Sequence, residues 1–170
     1  MGSGRMRLMF RPKRLAGYGM RLRRKAREIA LQVLYQLDVL GIDPKEAIEL
    51  FWRHFSAQSE ARPFASELVE GTWAHRDEID LLISTCSENW SLERMARVDR
   101  NILRLAVYEL LYGQGIPPKV ALNEAIDLGK EFGSENSGSF INGILDALYT
   151  KLRNHHADQG DNGEPGPASS

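Results

Sequence analysis

An all-α fold is predicted, a compact bundle of about seven helices, and three observations predict it. Apolar residues recur at helical spacing in every organised segment, and no stretch alternates with the two-residue period of a strand. The run NILRLAVYELLY, residues 101–112, is apolar on nearly every side, as a helix at the centre of a bundle must be. At 170 residues the chain is long enough to bury a core without disulfides or metal, and its single cysteine, Cys86, has no internal partner.

Residues 1–19, MGSGRMRLMFRPKRLAGYG, hold no sustained period and contain four glycines and Pro12, which predicts a disordered basic extension. Met20 directly precedes the organised sequence and is a candidate biological start. The organised domain spans residues 20–153. Its first helix, RLRRKAREIALQVLYQL, turns Ala26, Ile29, Ala30, Val33, Leu34, Leu37 and Leu40 to the core, and Gly41 is placed to stop it. Arg24, Arg27, Glu28, Leu31 and Tyr35 align on the opposite side. This helix begins with cations, which its dipole disfavours by roughly 0.3 to 1 kcal/mol each; an external anion would offset that cost.

A second helix runs from Pro44 to about Phe55. The next begins near Pro63, a residue suited to a first turn, and its stripe of Phe64, Leu68, Gly71, His75, Ile79, Leu82 and Cys86 continues for several turns. His75 falls within that stripe, which favours a satisfied core histidine over a ligand. After a short turn at SLERMA, Asp99 is placed as an N-cap, with Val98 and Leu103 as a hydrophobic staple. Gly113 and Gly115 close this central helix. Pro117 and Pro118 open KVALNEAIDLGKEF, ended by Gly133, and a last helix covers Ser137 to Leu152. Residues 154–170, NHHADQGDNGEPGPASS, read as a disordered tail.

An internal echo links the two halves. YQLDVLGIDPKEAI at 35–48 and YELLYGQGIPPKVAL at 108–122 share Tyr-x-Leu and Gly-Ile-x-Pro-Lys, with one residue inserted. Helix, Pro-started turn and helix therefore occur twice, as two similar helical halves packed into one body.

The formal net charge of -1 conceals an asymmetry. Residues 1–27 carry ten Lys or Arg and no acid, leaving twelve bases against twenty-three acids in the remainder. Such polarisation points to a polyanionic partner, nucleic acid or a membrane surface. No apolar run reaches the length of a membrane span and no secretory signal is read at the front, so the cytoplasm is the expected compartment. Catalytic signatures are missing: no G-x-S-x-G serine, no Cys beside a credible His, no paired His at metal spacing and no complete phosphate loop. No enzyme activity and no cofactor are expected. Arg23, Arg24, Lys25 and Arg27 supply the clustered charge that RNA binding needs, at a helix start whose free amides also face phosphate. GSENSGSF, residues 133–140, allows close backbone approach, and Phe140 sits at a helix edge where a ring stacks on an unpaired base or packs on the core.

The segment VDRNILRLAVYELLYGQGIPPKVALNEAIDLGKEFGSENSGSFINGILDAL, residues 98–148, with RRKAREIALQVLYQL before it, resembles the NusB family of transcription antitermination factors. The resemblance implies an all-helical body of two three-helix halves. It implies non-catalytic binding of boxA-containing RNA, in leader and ribosomal RNA transcripts, together with the ribosomal protein NusE in the RNA polymerase antitermination complex. By position it carries RNA contacts onto Arg23, Arg24, Lys25, Arg27 and the segment Asn136, Ser139 and Phe140, and partner contacts onto Tyr35, Glu93 and Asp99. Family members often hold an acid where Asn136 stands, and some hold Lys in place of Ser139. Two other readings compete: the RNA-binding fragment of a ribosomal RNA methyltransferase, for whose catalytic unit the sequence has no glycine signature, and a self-associating helical scaffold. Relatives differ in whether they form homodimers.

Overall fold

The computed structural model describes residues 13–55, 60–113 and 115–160. Seven α-helices and no strand lie among the described residues: α1 (Lys13–Leu40), α2 (Pro44–His54), α3 (Arg62–Ala74), α4 (Arg76–Cys86), α5 (Arg97–Tyr112), α6 (Pro118–Phe132) and α7 (Ser137–Gly160). A 3-10 turn at Leu92–Arg94 precedes α5.

The first helix starts earlier than expected. Lys13 to Gly19, read as part of a disordered extension, belong to α1, because Lys, Arg, Leu and Ala propagate a helix well enough to carry two glycines that cost roughly 1 kcal/mol each. Residues 1–12 and 161–170 of the expected extension and tail lie outside the described residues. The tail prediction is also shortened, since α7 continues past Leu152 to Gly160.

Along α1, Ala26, Ile29, Ala30, Val33, Leu34 and Leu37 are buried, whereas Leu40 is 62% exposed at the last residue. Leu31 and Arg27, assigned to the outer side, are buried too. The reason is that α1 packs against both α3 and α5, so the buried arc of its middle turns is wider than one stripe.

The internal echo is structural. Gly41 (φ 64°) follows α1 and Gly115 (φ 71°) follows α5, both in the left-handed region that glycine enters without strain. Each is followed by Ile, one linking residue and a proline that opens the next helix. In the first copy the linker Asp43 caps α2 by accepting from the Lys45 amide at 2.9 Å. α1, α2 and α3 pack together, α5, α6 and α7 do the same, and contact between α1 and α5 joins the halves. α4 lies against α5 and α7. The central helix is as apolar and as buried as its sequence requires, with Ile102, Leu103, Leu105 and Val107 at 0–1% exposure.

Two local expectations fail. The stripe from Phe64 to Cys86 is broken at His75, which ends α3 by donating its amide to Gly71 O and then precedes α4 with φ -101° and ψ 14°. Its ring is half-buried and stacked on Tyr112 at 4.1 Å, so it is not a core histidine. Asp99 is not the N-cap of α5 either. The extended residue there is Ala96, and Asp99 sits in the first helical turn.

Candidate nucleic-acid interface

Arg23, Arg24, Lys25 and Arg27 lie in the third and fourth turns of α1, because the helix begins at Lys13. Their amides are past the four that a helix start leaves free, which removes the expected anion site at a helix terminus. What remains is side-chain charge, and it divides in two. Arg24 is 54% exposed; its Nε and Nη2 donate to the Glu124 carboxylate at 3.2 and 3.0 Å, and Nη2 reaches Asp127 at 3.4 Å. Lys25 pairs with Glu28 at 3.2 Å on the same helix. The Arg23 guanidinium stands over the Phe64 ring at 5.4 Å and makes no ion pair among the described residues.

Arg27 belongs to the interior. It is 4% exposed, and its Nε donates to both oxygens of Glu109 on α5, at 2.8 and 3.0 Å. Burial pushes the Glu109 carboxyl above its ordinary value against the pull of Arg27. The expected RNA contact at Arg27 is thereby corrected to a buried ion pair joining the two halves. The sequence did hold a signal for it: Glu109 is the one acid in the run from 101 to 112 and needed a partner if buried.

The second segment is positioned by close helix packing. α7 starts at Ser137, whose buried Oγ accepts from the Ser134 amide at 2.8 Å. Gly138 lies against Ile126 and Lys130 of α6, and a Cβ on Gly129 would meet Ile141, so glycines on both helices let α6 and α7 approach. Asn136 and Ser139 are exposed, and Phe140 is half-buried against the core edge. α6 thus has Arg24 on its Glu124–Asp127 side and the Asn136–Phe140 segment beside its Lys130 turn. Segments more than a hundred residues apart in sequence flank one helix.

Tyr35 and Glu93 are exposed. Arg100 connects their neighbourhoods by donating to Asp38 at 2.9 and 2.6 Å and to the Leu92 carbonyl at 2.9 Å. Asp99, expected beside them, is only 7% exposed, and its Oδ1 is shut off from solvent without a hydrogen-bond partner. It lines a cleft of about 290 Å³ with Trp90, Arg94, Met95, Asn136 and Phe140. Trp90 and Arg94 escaped the sequence reading because ENWSLERMA has no sustained period to place its side chains. Among the described residues no group of three or more His, Cys, Asp or Glu side chains is placed to hold a metal ion, and no helix is long and apolar enough to cross a membrane.

Comparison with known proteins points to one family. A model of the NusB family matches residues 24–150. The transcription antitermination protein NusB of Syntrophus aciditrophicus (strain SB) is 63% identical over 140 residues, covering 82% of this chain and 87% of that one. Its counterpart in Myxococcus xanthus (strain DK1622) is 50% identical over 134 residues, covering 76% and 96%. Among solved structures, T. maritima NusB superposes with a TM-score of 0.68 at 37% identity, covering 76% of this chain and 91% of that one. A chain from a complex of antitermination factors NusB and NusE with dsRNA superposes at 0.71 with 34% identity, covering 78% and 98%.

Proposed function

The chain belongs to the NusB family, and from that premise we propose that it is a non-catalytic transcription antitermination factor that holds boxA-type RNA jointly with NusE in the cytoplasm. One observation carries the reading: exposed cations of α1 and the Asn136–Phe140 segment of α7 flank the same helix, α6. A single RNA strand crossing α6 meets both. Arg23, Arg24 and Lys25 take phosphates, while Asn136, Ser139 and Phe140 take the nucleotides beyond them. Arg24 must leave Glu124 and Asp127 to do so, but exposed ion pairs contribute only about 0–1 kcal/mol, so the exchange costs little. Arg27 serves the fold beneath this surface. Tyr35 and Glu93, whose neighbours Asp38 and Leu92 are tied together by Arg100, form the side that faces NusE in the antitermination complex with RNA polymerase.

The test is a titration of boxA-like RNA at several salt concentrations with and without NusE. Three phosphates neutralised on a single strand give a slope of log affinity against log salt of roughly -2. NusE tightens binding. Tyr35→Ala with Glu93→Lys removes that tightening and leaves binding of RNA alone unchanged. A flat salt dependence would overturn the assignment.

A further inference from the structure

We propose that Glu124 and Asp127 of α6 form an autoinhibitory latch: they occupy the phosphate-gripping edges of Arg24 and set a threshold that an RNA held by backbone charge alone does not cross. The inference rests on the RNA-binding reading and adds regulation to it. A guanidinium grips a phosphate with a fork of two N–H groups, either Nε with Nη2 or Nη1 with Nη2. In Arg24 the first fork is filled by Glu124, which accepts from Nε at 3.2 Å and from Nη2 at 3.0 Å, while Nη2 also donates to Asp127 at 3.4 Å. Nη2 belongs to both forks. An approaching phosphate finds neither fork open until a carboxylate lets go.

The latch is anchored in the fold. The Glu124 side chain is only 15% exposed, and its Oε2 lies 3.9 Å from Nη1 of Arg27, the buried cation that Glu109 holds at 2.8 Å. Charges of alternating sign therefore run from the interior to solvent through Glu109, Arg27, Glu124, Arg24 and Asp127. Arg24, 54% exposed, is the member free to swing away, whereas Glu124 stays with Arg27. The hydrogen bond and charge of Glu124, with the charge of Asp127 behind them, raise the Arg24 pKa above its ordinary value. Lys25 is paired as well, with Glu28 at 3.2 Å, so of Arg23, Arg24 and Lys25 only Arg23 is without an ion pair among the described residues. Opening the latch is the same penalty for every RNA and leaves the ratio between sequences unaltered. Its effect lies in the absolute affinity: RNA held by phosphates alone drops out, while a strand that also meets Asn136–Phe140 stays bound.

The experiment titrates the full chain, without NusE, with a boxA-like RNA and a scrambled RNA of the same length. Glu124→Gln with Asp127→Asn tightens both RNAs by the same factor, about tenfold at moderate salt. The salt slope stays as it was, because the same phosphates are neutralised. Plain repulsion between the two acids and RNA supplies part of that gain, and Arg24→Ala separates it from the latch: in that background the double substitution tightens binding no more than about threefold. Asp127→Asn alone opens the Nη1–Nη2 fork and leaves Glu124 with Arg27, so it serves should Gln at position 124 disturb the buried pair. Its gain is about fivefold with Arg24 present and about twofold with Arg24→Ala. Equal gains in the two backgrounds, or no gain in either, overturn the latch and leave the RNA-binding reading standing. A parent chain that binds neither RNA overturns both.

Discussion

Arg27→Ala and Arg24→Ala should have opposite consequences, although the two residues stand one turn apart in the same basic cluster. The Arg27 side chain is 5% exposed and that of its partner Glu109 3%. Removing the guanidinium leaves a buried carboxylate without its counter-charge, a loss of about 3–5 kcal/mol. In a protein of this size that lowers the thermal midpoint by roughly 10 °C. Arg24 is 54% exposed, Asp127 can turn to water when it is gone, and the less exposed Glu124 keeps the Arg27 guanidinium at 3.9 Å, so Arg24→Ala costs about 1 kcal/mol. RNA binding reverses the ranking. Arg24→Ala removes one phosphate contact and reduces the salt slope by about 0.7, whereas Arg27→Ala, assayed below its own midpoint, leaves the slope unaltered. The assays are urea unfolding followed by helical circular dichroism, and RNA titration across salt. Replacing both members of the pair, Arg27→Met with Glu109→Leu, should recover most of the lost stability. An Arg27→Ala protein as stable as its parent but with a diminished slope would refute the reasoning.

Asp38 sets an acid limit. Burial disfavours its charge, but hydrogen bonds from Arg100 and Asn101 and the nearby charge of Arg104 outweigh burial and hold its carboxyl below the ordinary value. A depressed pKa contributes stability that is present above the unfolded value and lost as pH falls through the folded one. Asp38→Asn should therefore be less stable than its parent at pH 7 by about 2 kcal/mol, with the gap between the two urea midpoints closing below about pH 4. Asn136→Asp places a negative charge on the exposed RNA side of α7 and should weaken boxA-like RNA binding about threefold at moderate salt; equal binding in a filter assay would contradict the surface assignment. Gly71→Ala sets a methyl group into the Tyr108 ring. The overpacking costs about 1–3 kcal/mol, against roughly 1 kcal/mol gained in helix propensity, so calorimetry should show a lower melting temperature.

The fold was legible wherever a local rule decided it. Pro44, Pro63 and Pro118 opened helices, and the repeated Gly-Ile-x-Pro stretch marked the two equivalent turns. The failures share a physical cause. Whether Arg27 meets RNA or the interior depends on Glu109, 82 residues away, and no local pattern carries that distance. His75 lies on the apolar stripe, so periodicity ran through it; the break depends on the φ and ψ of one residue, which a stripe does not register. Asp99 was assigned the capping role its residue type favours, but the extended backbone that defines a cap fell three residues earlier at Ala96. Residue type told what kind of chemistry sits near the start of α1 and of α7. Only packing told which of those side chains still face outward.

The pairing of α1 with α5 explains how one small body can offer two binding sides in a fixed relation. Arg27 meets Glu109, and Asp38 meets Arg100 and Asn101. Contacts that advance along α1 while retreating along α5 mean that the two helices run antiparallel, clamped at two polar points with apolar core between them. Eleven residues of helix separate Arg27 from Asp38, a span of roughly 16 Å. The cations proposed for RNA are within one turn of the first clamp, and Tyr35 is within one turn of the second. Glu93 is tied to that second clamp through the Leu92 carbonyl. On the proposed function, RNA and NusE would then be referenced to one rigid pair of helices, and tighter RNA binding with NusE would follow from a composite surface at fixed spacing without a change of shape. Loosening either clamp should lower the gain in RNA affinity that NusE gives while leaving the salt slope for RNA alone unaltered, whereas Arg24→Ala should lower that slope and leave the gain in place.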